Sequence, residues 1–307
     1  MKFQRLVRTE LTNGLIVLSY PFHLSLEGME STILCRDDED YDVLVKYMAL
    51  SAKCKNVIIV VYAVVSNHAH CVVLADSESS ARAFGNELKR RYSMWLNRKY
   101  SEEKVLHRRS VDVQYLDSDW YLRNAIAYDI RNALDNGAEN ISLYKWTSYR
   151  SLFCNGSLPP RCIAVSSLTT REAEKVLHSG VDLREIRWYL NASYEIEPAS
   201  FCYWQYAEAA FGRDQAFFLK CLGGVNTSEM SEKLIVAHKL FKTDSELYKT
   251  INDISQKWYQ RDISSISSSQ KSRLVPYIYH TVRTSVPQLA RCFSLSREHI
   301  ASLLGTD

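Results

Sequence analysis

"VVYAVVSNHAHCVVLA", residues 60–75, is an apolar, β-branched run that interrupts itself with Asn67, His68 and His70. Short runs of this composition read as strand. In a strand, residues two apart share a face, so His68 and His70 project together while Ala69 and Cys71 point the opposite way. Two imidazoles on one side of an apolar strand are either satisfied core histidines or half of a metal site. The residues alone leave both open, and Asn67 reads as a turn or strand-entry residue.

Working outward, "LIVLSY" (15–20) and "VIIVVYAVV" (57–65) read as strands, with "DDEDYDVLVKYMALSAK" (37–53) between them. That segment opens on acidic residues suited to a helix N-terminus and spaces Tyr41, Leu44, Val45 and Met48 on one side, predicting an amphipathic helix. A second helix is expected over about 78–100. "VDVQYLDSD" (111–119) reads as a strand whose Asp117-Ser118-Asp119 starts a helix over 119–135. Strands alternating with helices in the first 150 residues predict one compact α/β or α+β domain. "CNGSLPPRC" (154–162) is the clearest break. Downstream the pattern is helical over 169–179, 181–192, 199–211, 213–222, 228–241 and 243–260, with "SSISSSQKS" (264–272) as a short linker.

A formal charge of +3 names no partner, but nine Lys/Arg against three Glu fall between Arg82 and Arg109. Such a run is a solvated helix face or a phosphate-binding strip. The eight cysteines form no C-x-x-C pair and fit reduced, buried thiols. No run reaches the ~20 apolar residues that a bilayer requires, so the expectation is a cytoplasmic protein without a membrane partner.

In "DWYLRNAIAYDIRNALD" (119–135), Leu122, Ile126, Ile130 and Leu134 make a ridge expected to pack on the sheet. Tyr128 and Asn132, one turn apart, project together on another face. They are a routine surface pair, or a nucleophile beside an amide-oxygen metal ligand. At the C-terminus, "SVPQLARCFSLSREHIASLLG" (285–305) has helix-turn-helix spacing, with Ala290 small enough for a close crossing and Ser294 in the turn position usually given to glycine. It is a DNA-reading unit or two packed helices, and Arg297 would open its second helix.

Five ordered blocks carry a family resemblance. "VVYAVVSNHAHCVVL" resembles the Y-x-x-M-P-N-H-x-H block of the single-tyrosine HUH transposases, especially the REP-associated tyrosine transposase group. "RDDEDYDVLVKYM" (36–48), "LKRRYSMWLNRKY" (88–100), "LDSDWYLRNAIAYDIRNALDNG" (116–137) and "YKWTSYRSL" (144–152) are similar to the blocks around it, together covering about residues 1–152. The resemblance implies an α+β fold, with helices packed on a ferredoxin-like antiparallel sheet, over 1–153. A helical extension (163–262) and a helix-turn-helix-like unit (273–307) would follow.

The resemblance also implies His68, His70 and Asn132 as ligands of Mg²⁺ or Mn²⁺ and Tyr128 as the nucleophile. Ser66 and Ala133 stand where the group carries proline, His107 where it carries glutamine, and Arg108 where glycine is common. A tyrosine with an ordinary pKa of about 10 needs help to attack phosphorus at neutral pH. Implied partners are single-stranded or hairpin DNA carrying palindromic repeats. Lys89, Arg90, Arg91, Arg98, Lys99, Arg108, Arg109 and Arg297 are candidates for phosphate contacts, and Tyr92 or Trp95 for base stacking. The expected activity is cleavage and rejoining through a 5′-phosphotyrosine, by a monomer or homodimer. The alternative is a domesticated hairpin- or operator-binding regulator that does not cut. A replication nickase is disfavoured by the absence of a G-x-x-x-x-G-K-[ST] loop.

Overall fold

The computed structural model describes residues 6–10, 16–27, 33–101, 111–135, 140–224, 244–282, 284 and 286–304. The chain divides into two compact units, one of residues 1–27 with 34–236 and one of 237–307 with 28–33. Among the described residues no helix is long and apolar enough to cross a membrane.

The first unit is built on the strands β1 (Val7–Glu10), β2 (Ile16–Glu27), β3 (Ile58–Val64), β4 (His68–Ala75) and β5 (Asp112–Tyr115). Helix α1 (Asp38–Lys55) joins β2 to β3, α2 (Glu78–Tyr100) follows β4, and α3 (Asp119–Asp135) follows β5. β4 pairs with β2 on one side and β3 on the other, while β1 and β5 both pair with β2, every ladder antiparallel. From β2 to β5 this is the β-α-β-β-α-β arrangement of a ferredoxin-like sheet, as expected.

The alternation of side chains sorts the sheet into two faces. Phe22, Leu24, Leu26, Ala69, Cys71 and Val73 join Val43, Leu44, Met48, Phe84, Leu88 and Tyr92 of α1 and α2 in one apolar core. The opposite face carries His23, Ser25, His68, His70 and Val72, which register places side by side: Ser25 faces His70 and His23 faces Val72. Helix α3 packs on this second face, against β3 and β4.

Local chemistry explains the boundaries. Asp37 caps α1 by accepting from the Asp40 amide, Ser77 caps α2 through the Ser80 amide, and Ser118 Oγ accepts from the Tyr121 amide at the start of α3. The turn into β4 is fixed twice, by the Val65 amide donating to His68 O and by the Leu34 and Cys35 amides both donating to Ser66 O. The free edge of β3 is covered by residues 144–148. Val64 N donates to Trp146 O, and the Tyr62 amide donates to Ser148 Oγ, so the edge is not left open to pair with another chain.

Beyond residue 153 the chain continues within the same unit, with β6 (Ile163–Ala164), α4 (Thr170–Leu177), β7 (Tyr189–Leu190), α5 (Pro198–Phe201), α6 (Trp204–Ala210) and α7 (Gln215–Gly224). The break at 154–162 therefore does not separate two bodies, because α6 and α7 pack on α3. Two of the expected helices are corrected. Residues 181–192 form turns and β7 instead, because the Asp182 carboxylate accepts from the Arg184 amide and holds a local turn that competes with a helix. Residues 199–211 break at Cys202–Tyr203, where the Tyr203 amide donates to Ile59 O on the edge of β3. The segment expected as helix over 228–241 lies outside the described residues.

The second unit is helical: α8 (Asp244–Tyr259), α9 (Ser268–Thr281), α10 (Val286–Phe293) and α11 (Arg297–Leu304). Leu247, Ile251, Leu274, Ile278, Leu289, Phe293 and Ile300 form its core. Of the serine-rich stretch expected as a linker, 264–266 are turn, while the rest starts α9 through a capping box in which Ser267 and Gln270 satisfy each other's amides. Ser294 takes the left-handed conformation (φ 54°) between α10 and α11, a backbone region that favours glycine, so serine fills the turn position at some cost.

Candidate active site on the second sheet face

Tyr128, Asp129 and Asn132 lie on the side of α3 that meets the histidines. All three are buried, at 2%, 0% and 1% exposure. The Tyr128 ring stands edge-on to His70 with centroids 5.5 Å apart, and His70 is edge-on to His68 at 4.7 Å. Asn132 Nδ2 lies 2.9 Å from His68 Nε2. The structure thus brings together His68, His70, Tyr128 and Asn132, the four residues that spacing placed on shared faces.

Asn67 does more than enter the strand. Its Oδ1, which can only accept, lies 2.7 Å from His68 Nδ1, so that nitrogen carries the proton and Nε2 keeps its lone pair. Nε2 then accepts from the Asn132 amide. The side-chain amide of Asn132, the group implied as a ligand, is thus in direct contact with His68.

Two residues that sequence reasoning missed complete the cluster. His23, on β2, sets its Nε2 2.8 Å from Asp129 Oδ1, and its ring stacks on His70 at 5.3 Å. It also stands edge-on to Tyr128 at 6.3 Å. Burial raises the Asp129 pKa, and the nearby His23 offsets part of that rise. His23, His70 and Asp129 each offer a ligand atom, and the three atoms lie within 4.8 Å of one another. Buried imidazoles beside a buried carboxylate are donors that fit a divalent cation.

The basic helix is less available than its charge suggests. Glu87 receives both Arg90 (2.8 Å) and Arg91 (2.7 Å), and these guanidiniums pull its pKa down to about 2. Lys99 sits among Asp37, Glu39 and Asp40 at 2.7, 2.9 and 3.0 Å. Tyr92 is fully buried and donates to Leu34 O, and Trp95 donates to Asp40 Oδ1, so neither ring is presented as a stacking platform. Arg98 and Arg297 are exposed and Lys89 is half-buried. Arg108 and Arg109, with His107, lie outside the described residues. All eight cysteines are free.

Residues 32–116 match the family model described as Transposase IS200 like. The N-terminal segment thus resembles the IS200-like transposases. The match contains both H-x-H histidines and ends just before α3, which carries the tyrosine. A solved structure of a REP-associated tyrosine transposase bound to a REP hairpin is similar at 13% identity and a TM-score of 0.38. The similarity covers 52% of this chain and 89% of that one. Among curated protein sequences none matches.

Proposed function

We propose that the first unit is a DNA strand transferase that cuts and rejoins single-stranded or hairpin DNA. The observation that carries this reading is the contact of the Tyr128 ring with His70, while His68 and Asn132 meet beside them. The family match over 32–116 supports a transposase-like role in DNA processing.

In the proposed step the Tyr128 oxygen attacks a backbone phosphorus. The tyrosine–phosphorus bond forms, the phosphorus–O3′ bond breaks, and the 3′ oxygen leaves and takes up a proton. The product is a 5′-phosphotyrosine beside a free 3′-hydroxyl. Because one phosphodiester replaces another, the same residue can be displaced in the rejoining step. His68, His70 and Asn132 are the residues the resemblance implies as holding a divalent cation. When bound, the cation would neutralise charge on the phosphate oxygens. Asn67 fixes the ring orientation and tautomer of His68, and the packing of α3 on β4 holds Tyr128 at the histidines.

The test is purified protein with a hairpin oligonucleotide and Mn²⁺, resolved on a denaturing gel. A covalent adduct that disappears in Tyr128→Phe, with a loss of at least a hundredfold, is the expected result. No adduct, or one undiminished in the variant, overturns the reading.

A second reading, a hairpin- or operator-binding regulator, draws on the left-handed turn at Ser294 and on exposed Arg297 and His299 at the start of α11. Removal of residues 273–307 separates the two. Loss of DNA affinity with retained adduct chemistry would assign recognition to this unit and catalysis to the first.

A further inference from the structure

We propose that Trp258 and Tyr277, flanked by Lys257 and Arg273 in the second unit, form a stacking site for the unpaired bases of single-stranded DNA. The inference rests on the reading of the chain as one that handles unpaired DNA, and it assigns part of that contact to the helical unit. Binding at this site does not depend on strand transfer.

Trp258 lies in the last turn of α8 and Tyr277 in the second half of α9. Their rings meet with centroids 4.6 Å apart and 52° between planes. Each ring limits the motion of the other, yet 44% of Trp258 and 40% of Tyr277 stay exposed. Neither belongs to the apolar core of the unit, which Leu247, Ile251, Leu274 and Ile278 help to build. Single exposed apolar residues are ordinary, whereas two large rings set against each other at the surface mark a contact site.

Charge decides the occupant. Lys257 adjoins Trp258, Arg273 lies one helical turn before Tyr277, and both are exposed. Among the described residues neither has an acidic partner. From Lys249 to Tyr277 the chain carries five Lys/Arg and two Asp. One of the two, Asp262, is engaged by the side-chain amides of Asn252 and Gln256 at 3.1 and 2.6 Å. A second copy would bring the same positive charges together, and an apolar peptide would leave them unused. A single strand answers both features: every base has a flat face to lay on an aromatic ring, and the adjoining phosphates accept from lysine and arginine. A paired base keeps its faces stacked inside the duplex, so the site selects unpaired DNA. Helix α2 differs on both counts, because carboxylates hold Arg90, Arg91 and Lys99, and Tyr92 is buried.

The test is fluorescence anisotropy of a labelled oligothymidylate titrated at low salt with the full chain, as wild type, Trp258→Ala, Trp258→Phe, Tyr277→Ala and Arg273→Gln. The expected result is at least a fivefold loss of affinity in W258A and Y277A, with W258F within twofold of wild type. In R273Q the dependence of affinity on salt should become shallower by about one phosphate contact. Affinity for a duplex of mixed sequence should change less than twofold in W258A. Wild-type affinity for the oligothymidylate in W258A and Y277A overturns the inference. So does a wild-type dimer in sedimentation velocity that W258A dissociates without loss of oligothymidylate affinity, which would assign the rings to a second copy. The Tyr128-dependent adduct separately decides strand transfer, so either reading can fail alone. Circular dichroism checks that each variant folds. Should W258A or Y277A not fold, photo-crosslinking of wild type to an oligonucleotide carrying 5-iodouracil gives the same decision. A crosslinked peptide containing Trp258 or Tyr277 supports the site, and crosslinks confined to other peptides overturn it.

Discussion

His68 is held from both ends of its ring. Asn67 Oδ1 accepts from Nδ1, and the Asn132 amide donates to Nε2. Two such contacts select one neutral tautomer. Asn67→Ala removes the acceptor that does the selecting. The expected outcome is a fold unchanged by circular dichroism, with the His68 ¹⁵N shifts moving from the Nδ1–H pattern to a mixture of tautomers in long-range ¹H–¹⁵N spectra. Unchanged shifts would show that Asn132 alone sets the ring. At this scale the sequence was legible where spacing is chemical: two histidines two apart, and a tyrosine and an asparagine four apart. It was silent on His23 because Pro21, which has no amide to donate to a ladder, suggests that a strand stops at Tyr20. β2 in fact runs on to Glu27. Asp129 gave no signal either, since the residue after a candidate nucleophile looks like any helical acid until its partner on another strand is known.

At the scale of elements, α2 and β5 meet at a glycine. A Cβ built on Gly85 would stand 2.4 Å from Val111 Cγ1 and 3.0 Å from Cγ2. Val111 is itself buried in the apolar core, so it has little room to yield. Gly85→Ala should destabilise the first unit by about 1–3 kcal/mol, the usual cost of overpacking, read as a lower urea midpoint at unchanged slope. Trimming the neighbour in a Gly85→Ala/Val111→Ala double variant should recover part of that loss, because residues in contact couple. Elements that follow hydrophobic periodicity, such as α1, α2 and α3, were legible from sequence. Those that follow side-chain-to-backbone hydrogen bonds were not. Leu183, Ile186 and Leu190 are spaced as in a helix, yet Asp182 turns the chain before one can begin. Ser267 and Gln270 build a helix start inside what reads as a serine linker.

At the scale of the molecule, the boundary expected near 154–162 follows composition, whereas the actual division follows packing. Phe218 of α7 lies against Phe153 and Phe211, and Arg131 of α3 donates to Leu222 O and Gly223 O. A fragment of residues 1–236 should therefore melt cooperatively with the near-ultraviolet signal of the full chain. A fragment ending at 153 would strip α3 of its outer cover and should lose that signal and aggregate. Comparable melting of the two fragments would restore the compositional boundary. A final consequence concerns time rather than structure. With Tyr128 at 2% exposure, its phenol is out of reach of solvent, so any reagent that meets it waits on a local opening. That waiting step can be timed without DNA. Tetranitromethane should modify Tyr194 and Tyr248, 47% and 44% exposed, promptly, and Tyr128 only as fast as the site opens. Peptide mass spectrometry of the nitrated protein then reads the opening equilibrium directly. Nitration of Tyr128 as fast as Tyr194 would mean that the face is open most of the time.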